Sequence, residues 1–281
     1  MSGCRVTETR EKSGQHNFIV MRPKRVSTKE VRVFIHGAAG YASYFRDQMR
    51  FAAERGVLCV APELPFHGER AEGKECRLSV HDYVAYVREF ITTIVYPEWQ
   101  PATLTLVGHS MGGLTAQKVA EGGIIDRMVL ITPAPPKGLR YRPGRFFIPP
   151  FEDLMSLFRL VAFREPFTPS KKLIESLFAD PLKSASMIDS WVEDRVAGES
   201  LIALSELTWS SIDVDPRLIT IPTLVVGAAK DVVIHPNVAT EIAEYLKAEL
   251  IMLPELGHMC VFEHGWVSAA ECIDVWLKKT S

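Results

Sequence analysis

The 281-residue sequence has no Cys-x-x-Cys pair, and its five cysteines (Cys4, Cys59, Cys76, Cys260 and Cys272) are scattered and odd in number. That pattern argues against a disulfide framework and a cysteine-ligated zinc, and points to free thiols in a reducing compartment. No uninterrupted apolar run approaches the roughly 20 residues that span a bilayer, so no membrane span is expected. The opening stretch MSGCRVTETREKSGQ is polar throughout. It lacks the apolar middle of a secretory signal, which makes the cytoplasm the expected location. Neither sign of charge dominates: a formal net charge of −2 gives no reason to expect a nucleic acid or an anionic membrane as partner. Neither Gly-x-Gly-x-x-Gly nor a phosphate loop ending in Gly-Lys-Ser/Thr occurs, and no His, Cys, Asp or Glu cluster has metal-ligand spacing. No nucleotide, no other cofactor and no metal is therefore expected.

What is present is the balance of a globular protein with a large core, 47% hydrophobic and 23% charged residues. Short, nearly continuous apolar runs at Val31–Ile35, Val57–Val60, Leu104–Val107, Met128–Ile131, Thr223–Val226 and Leu250–Leu253 read as parallel strands buried on both faces. A weaker strand is expected near Phe18–Met21. Helical spacing fills the intervals at Tyr44–Arg55, Val80–Val95, Met111–Glu121, Pro236–Leu246 and Trp266–Lys278. In the second of these, Tyr83, Val87, Phe90, Ile91 and Ile94 follow one helical face. Strand and helix in alternation predict an α/β fold with a doubly wound, mostly parallel sheet. The alternation stops between about Pro133 and Pro216, where a Pro- and Gly-rich opening leads into helical, aromatic-rich stretches. The expected organisation is a core of residues 1–132 and 217–281 carrying a helical cap insertion at 133–216.

The stretch LVGHSMGGLTAQ places Ser110 between Gly108 and Gly112, where an apolar run gives way to a helical pattern. A plain tight turn would need the same glycines. A serine nucleophile needs them for a further reason: a sharp strand-to-helix turn exposes Oγ but crowds the positions two before and two after it. Such a turn also aims helix N-terminal N–H groups at developing negative charge. What separates the two readings is whether partners follow. Asp231 lies in the loop after the run IPTLVVGA, and His258 in the loop after LIML. In an open α/β sheet, ligand chemistry gathers at the carboxyl ends of strands, and Ser110, Asp231 and His258 all fall just beyond such ends. Of the rival acids, Glu255 is only three residues from His258, and Asp213 falls where the insertion ends.

With these residues in place the chain resembles the α/β-hydrolase superfamily over most of its length outside the insertion. FIHGAAG is similar to the family's His-Gly loop, VGHSMGG to its nucleophile turn and PELGHM to its histidine loop. APELPFHGER resembles the family's Asp-x-Pro-Gly-His-Gly-x-Ser turn, with Glu63, Phe66 and Arg70 in place of the acid, glycine and serine. By that resemblance Ser110, Asp231 and His258 form a catalytic triad, and the backbone N–H groups of Ala38 and Met111 form an oxyanion hole. The implied activity is hydrolysis of a carboxylic ester or related acyl compound through an acyl-enzyme. Thioester hydrolysis, acyl transfer, carbon–carbon bond hydrolysis and perhydrolysis use the same triad, and a ligand-binding protein could retain the fold without turnover.

His36, His109, His67 and His235 are expected to order loops through hydrogen bonds, and Lys137, Arg140, Arg142 and Arg145 to form a solvated basic loop. The insertion's aromatic residues mostly suit packing, but Phe146, Phe151, Trp191 and Trp209 are candidates to line a pocket. The expected partner is thus a small acyl substrate with an apolar portion.

Overall fold

The computed structural model describes residues 6–25, 29–68, 77–140, 142, 151–163, 165, 167–194 and 198–280. Eight strands form one sheet: β1 (Thr7–Ser13), β2 (His16–Arg22), β3 (Glu30–Ile35), β4 (Leu58–Pro62), β5 (Thr103–His109), β6 (Arg127–Ile131), β7 (Thr223–Ala228) and β8 (Glu249–Leu253). Their spatial order is β1-β2-β4-β3-β5-β6-β7-β8. The pairings β1–β2 and β2–β4 are antiparallel and all the others are parallel. β3, β4, β6 and β7 are buried along their whole length, as continuous apolar runs demand. The expected early strand extends to His16–Arg22 and has a partner, β1, that the apolar pattern does not reveal. β1 reads TETREKS and is half-buried to exposed, because it is the sheet's outer edge.

The helices are α1 (Arg46–Ala53), α2 (Val80–Phe90), α3 (Tyr96–Trp99), α4 (Met111–Ala120), α5 (Phe151–Phe163), α6 (Lys171–Ser176), α7 (Ala185–Asp194), α8 (Leu201–Thr208), α9 (Pro236–Leu246) and α10 (Val267–Lys279). Strand alternation sends Val31, Val33 and Ile35 to one face, into a core with Tyr83, Val87 and Phe90 of α2, Leu114 of α4 and Ile242 of α9. Phe34, Val107, Val129 and Ile131 face the other way, against Met49 of α1 and Ile273 and Trp276 of α10. The sheet is therefore covered on both faces. Ser79 starts α2 with a capping box: its side chain accepts from the Asp82 N–H, and the Asp82 carboxylate accepts from the Ser79 N–H. Between α2 and α3 the turn widens to a π-helical segment, Ile91–Val95.

Register decides where function can sit. Ile35 pairs with Gly108 and His109 with Ile131, so β3, β5 and β6 end side by side. The loop after β3 and the turn after β5 are thereby neighbours. After β6 the chain leaves the sheet, and α5 to α8 form a helical insertion before β7 returns. Phe167 and Glu199 tie that insertion together through a two-hydrogen-bond antiparallel bridge, at 3.0 and 2.7 Å. Among the described residues, no helix is long and apolar enough to cross a membrane.

Candidate active site

Ser110 joins β5 to α4 with φ 55° and ψ −119°, a region that costs a non-glycine residue roughly 1–3 kcal/mol. The surroundings hold it there. Its N–H donates to the Ile131 carbonyl, and its own carbonyl accepts from Gly113, Leu114 and Ala134 at 2.9–3.2 Å. The glycines are required by contact: a Cβ on Gly108 would lie 2.3 Å from the Gly112 carbonyl oxygen, and one on Gly112 would lie 2.2 Å from that of Ile35. α4 therefore presses directly against the ends of β3 and β5, which leaves Ser110 Oγ at the mouth of the turn.

The loop after β8 brings His258 Nε2 to 3.0 Å from Ser110 Oγ. The loop after β7 brings Asp231 Oδ2 to 2.8 Å from His258 Nδ1. Asp231 Oδ1 accepts from the Val233 and Ile234 amides at 2.7 and 2.8 Å, which fixes the carboxylate. An ionised carboxylate only accepts, so the His258 proton sits on Nδ1 and Nε2 is left to accept from the serine hydroxyl. Glu255 points elsewhere, to Lys230 at 2.6 Å.

A second chain of hydrogen bonds sits behind the first. His109 Nε2 lies 2.9 Å from the His258 carbonyl. A carbonyl cannot donate, so that nitrogen carries the proton and Nδ1 accepts from the Tyr44 hydroxyl at 3.0 Å. The Tyr44 oxygen in turn accepts from the Gly37 N–H. His36 donates from Nδ1 to the Gly37 carbonyl at 2.9 Å, and its Nε2 accepts from the Leu64 amide at 3.0 Å. Burial holds both imidazoles neutral, each pushed down to about 3, with His67 adding to the effect on His36 and His258 to that on His109. His235 caps α9 by accepting from the Asn237 N–H. In the Glu63 loop, Phe66 stands at φ 63°, the left-handed conformation that the family's glycine accommodates without strain.

Ala38 lies on the loop after β3, and Met111 is the first residue of α4, where amides have no partner within the helix. Among the described residues neither N–H has a protein acceptor. Above Ser110 and beside Ala38 is a cavity of about 250 Å³. Its floor is Gly37, Ala38, Ala39, Tyr44, His109, Ser110, Val233, His258 and Met259, and its roof is Phe167, Pro169, Leu173, Leu177, Trp191, Glu199 and Leu204 from the insertion.

Of the aromatic residues expected at a pocket, Trp191 is there. Phe151 and Trp209 are not: they stand 74% and 79% exposed, on outward faces of α5 and just after α8. Phe146 lies outside the described residues. The sequence pattern does not mark Leu173, Leu177 and Leu204 as lining residues, because a helical insertion has no sheet to fix which face turns inward. Nor does it mark Glu199, a carboxylate fully buried in the insertion that accepts from Ala39 N–H (3.0 Å), His67 Nε2 (3.1 Å), Tyr83 OH (2.7 Å) and Ser200 N–H (2.9 Å). Among the described residues no group of three or more His, Cys, Asp or Glu side chains is placed to hold a metal ion. Cys260, two residues beyond His258, is buried, and burial lifts its thiol well above the ordinary value.

The model of the alpha/beta hydrolase family matches residues 33–270. No curated protein matches the sequence. Among solved structures, the chain is similar to a 2-hydroxy-6-oxo-6-phenylhexa-2,4-dienoate hydrolase from Rhodococcus sp., at 20% identity and a TM-score of 0.71 over 98% of this chain and 99% of that one. An esterase from Exiguobacterium antarcticum aligns at 19% identity and a TM-score of 0.69, covering 94% and 96%. A bromoperoxidase from Bacillus anthracis aligns at 16% identity and a TM-score of 0.72, covering 98% and 100%. At such identities these likenesses concern the fold.

Proposed function

This chain belongs to the alpha/beta hydrolase family, and from that premise we propose that it is a serine hydrolase acting on a small carboxylic ester through an acyl-enzyme. The observation that carries the proposal is the run of hydrogen bonds from Ser110 Oγ through His258 to Asp231, at 3.0 and 2.8 Å, opening into the apolar cavity. Ser110 Oγ attacks the ester carbonyl carbon while His258 Nε2 takes its proton, and Asp231 stabilises the imidazolium that forms. The carbonyl oxygen becomes an oxyanion between the Ala38 and Met111 amides. Preorganised donors of this kind contribute about 2.7–4 kcal/mol each to lowering a barrier. His258 then protonates the leaving alcohol oxygen as the tetrahedral intermediate collapses. A water attacks the acyl-Ser110 ester with His258 again as base, which releases the acid and restores the serine.

Two features bear on the substrate. Roof and floor are apolar around Phe167, Leu173, Leu177, Trp191 and Met259. At about 250 Å³ the cavity is smaller than the roughly 300–1,000 Å³ typical of drug-sized ligands. A short, apolar acyl group suits it, with residues 133–216 acting as the cap that closes over it.

The test is hydrolysis of p-nitrophenyl esters of increasing acyl length by wild type and Ser110→Ala. Short acyl chains should turn over fastest, and Ser110→Ala should lose on the order of 10⁴-fold or more in kcat, since the triad acts as a unit. Activity surviving in Ser110→Ala would remove that residue from its role. No turnover by wild type, combined with tight ester binding, would favour a binding protein that keeps the fold.

A further inference from the structure

The Ala38 amide sits between two clamped neighbours. On one side the Gly37 N–H donates to Tyr44, a core residue. On the other, the Ala39 N–H donates to Glu199 Oε2 at 3.0 Å, across 160 residues of sequence. Ala39 also holds φ 50° without being glycine, and the Gly40 amide closes a turn onto the Gly37 carbonyl at 3.1 Å. A loop this tight, with one left-handed alanine, stays in place only if its surroundings over-determine it. From the insertion, Glu199 supplies the acceptor for the Ala39 amide.

Burying a carboxylate costs several kcal/mol unless its lone pairs are filled. Here all four directions are used, by Ala39, His67, Tyr83 and Ser200. Burial alone would raise its pKa, but the His67 imidazole, the Tyr83 hydroxyl and the Ser200 amide together hold it below the ordinary carboxylate value. Burial likewise opposes charge on His67, yet Glu199, the Pro65 carbonyl and Glu63 leave His67 raised. Both His67 ring nitrogens face acceptors, the Pro65 carbonyl at 3.0 Å and Glu199 at 3.1 Å, an arrangement that the imidazolium fills with two donated bonds. An anionic acceptor grips the Ala39 amide harder than a neutral one. Through its bridge to Phe167, the same residue is continuous with the cavity roof.

We propose that Glu199 is a positioning residue for the reaction, holding the Ala38 oxyanion donor at its working angle and locking the cavity roof to that donor as one unit. The inference rests on the serine-hydrolase reading. Glu199 touches no reacting atom. It acts through the Ala38–Ala39 peptide, so its loss should weaken transition-state stabilisation and leave ground-state binding nearly intact.

The experiment compares steady-state kinetics of wild type, Glu199→Gln, Glu199→Ala and Ser110→Ala on the best p-nitrophenyl ester, with active sites counted by a fluorophosphonate. Removing an oxyanion donor costs about 10²–10³ in kcat, and misaiming one should cost less, about 10- to 100-fold for Glu199→Ala with KM within about threefold. Glu199→Gln should fall between, because its amide oxygen still accepts from Ala39. Affinity for an alkyl boronic acid, which mimics the tetrahedral intermediate, should drop in step with kcat/KM. If both variants at position 199 fail to fold, Tyr83→Phe serves in their place; it removes one hydrogen bond to the carboxylate and should lower kcat about two- to fivefold with KM unmoved. A kcat per active site equal to wild type, in a folded Glu199→Ala or Glu199→Gln or, failing those, in Tyr83→Phe, overturns the proposal, even if thermal stability falls. Should Ser110→Ala stay active, the serine-hydrolase reading itself fails. With Ser110→Ala inactive and Glu199 variants at full kcat, this inference alone fails.

Discussion

At the scale of single residues, the site depends on which atom of each ring carries a proton. Asp231 uses one oxygen for two backbone amides and the other for His258. In Asp231→Asn the side-chain oxygen can keep the amides, which turns its NH₂ toward His258 Nδ1. That nitrogen must then accept, the imidazole proton moves to Nε2, and no base faces Ser110. We expect kcat to fall on the order of 10⁴-fold, while the thermal midpoint moves by only a few degrees because both amide bonds survive. Kinetics and a melting curve on the same preparation check both halves; a small loss of kcat would mean that His258 is not oriented by Asp231. Tyr44 makes the complementary case. Tyr44→Phe strands the Gly37 N–H and His109 Nδ1 in a buried region, and each orphaned group costs about 1–3 kcal/mol. Its urea midpoint should therefore drop more than that of Asp231→Asn, reversing the order of the two variants in activity loss.

At the scale of elements, the contact between α4 and the strand ends is the joint that poses Ser110. Gly→Ala within a helix ordinarily stabilises it by about 1 kcal/mol. At Gly112 the sign reverses, because the new Cβ would sit 2.2 Å from the Ile35 carbonyl oxygen, which belongs to a central strand. α4 would have to lift from β3, so Gly112→Ala should lose several kcal/mol in a denaturant titration and most of its activity. The same joint explains what could be read in advance. Strands buried on both faces announce themselves as apolar runs, so Val31–Ile35 lies within β3 (Glu30–Ile35) and Met128–Ile131 within β6 (Arg127–Ile131). The small residues around Ser110, and the placement of Asp231 and His258 just past strand ends, follow from that regularity. β1 was illegible because an edge ribbon of Thr, Glu, Arg and Lys has no face that must be apolar. Phe151 and Trp209 misled because hydrophobicity says that a side chain favours burial, not which side of an insertion helix is turned inward. Glu199 left no signal at all: its partners Ala39, His67 and Tyr83 are more than 100 residues away, and only the folded chain assembles them.

At the scale of the whole molecule, the cluster of buried histidines beneath the site makes folding stability depend on pH in a definite direction. His36 and His109 are pushed down to about 3 mainly by burial, whereas in the unfolded chain each titrates near its ordinary value of 6.5. As pH falls through that value the unfolded chain takes up both protons and the folded one takes neither, so stability present above about pH 6.5 is lost progressively down to about pH 3. His67 behaves oppositely: its pKa is raised in the fold, so it adds stability that is complete below pH 6.5 and disappears as pH rises through its folded value. Below about pH 5.5 it is protonated in both states and contributes no slope. Two protons taken up only on unfolding correspond to about 2.7 kcal/mol per pH unit around pH 5. Glu263 offsets part of this, since its carboxyl, raised mainly by burial, takes its own proton first in the folded state. Glu199, held low by His67 against the effect of burial, adds to the loss because the unfolded chain protonates it first. The expected outcome is an unfolding free energy that drops by about 2–3 kcal/mol between pH 5.5 and 4.5 in urea titrations. In His36→Gln that slope should shrink by about 1.4 kcal/mol per pH unit, whatever the variant's absolute stability. An unchanged slope in His36→Gln would mean that His36 gains its proton within the fold, and the Leu64 N–H, which donates to His36 Nε2, would then have to find another acceptor as pH falls.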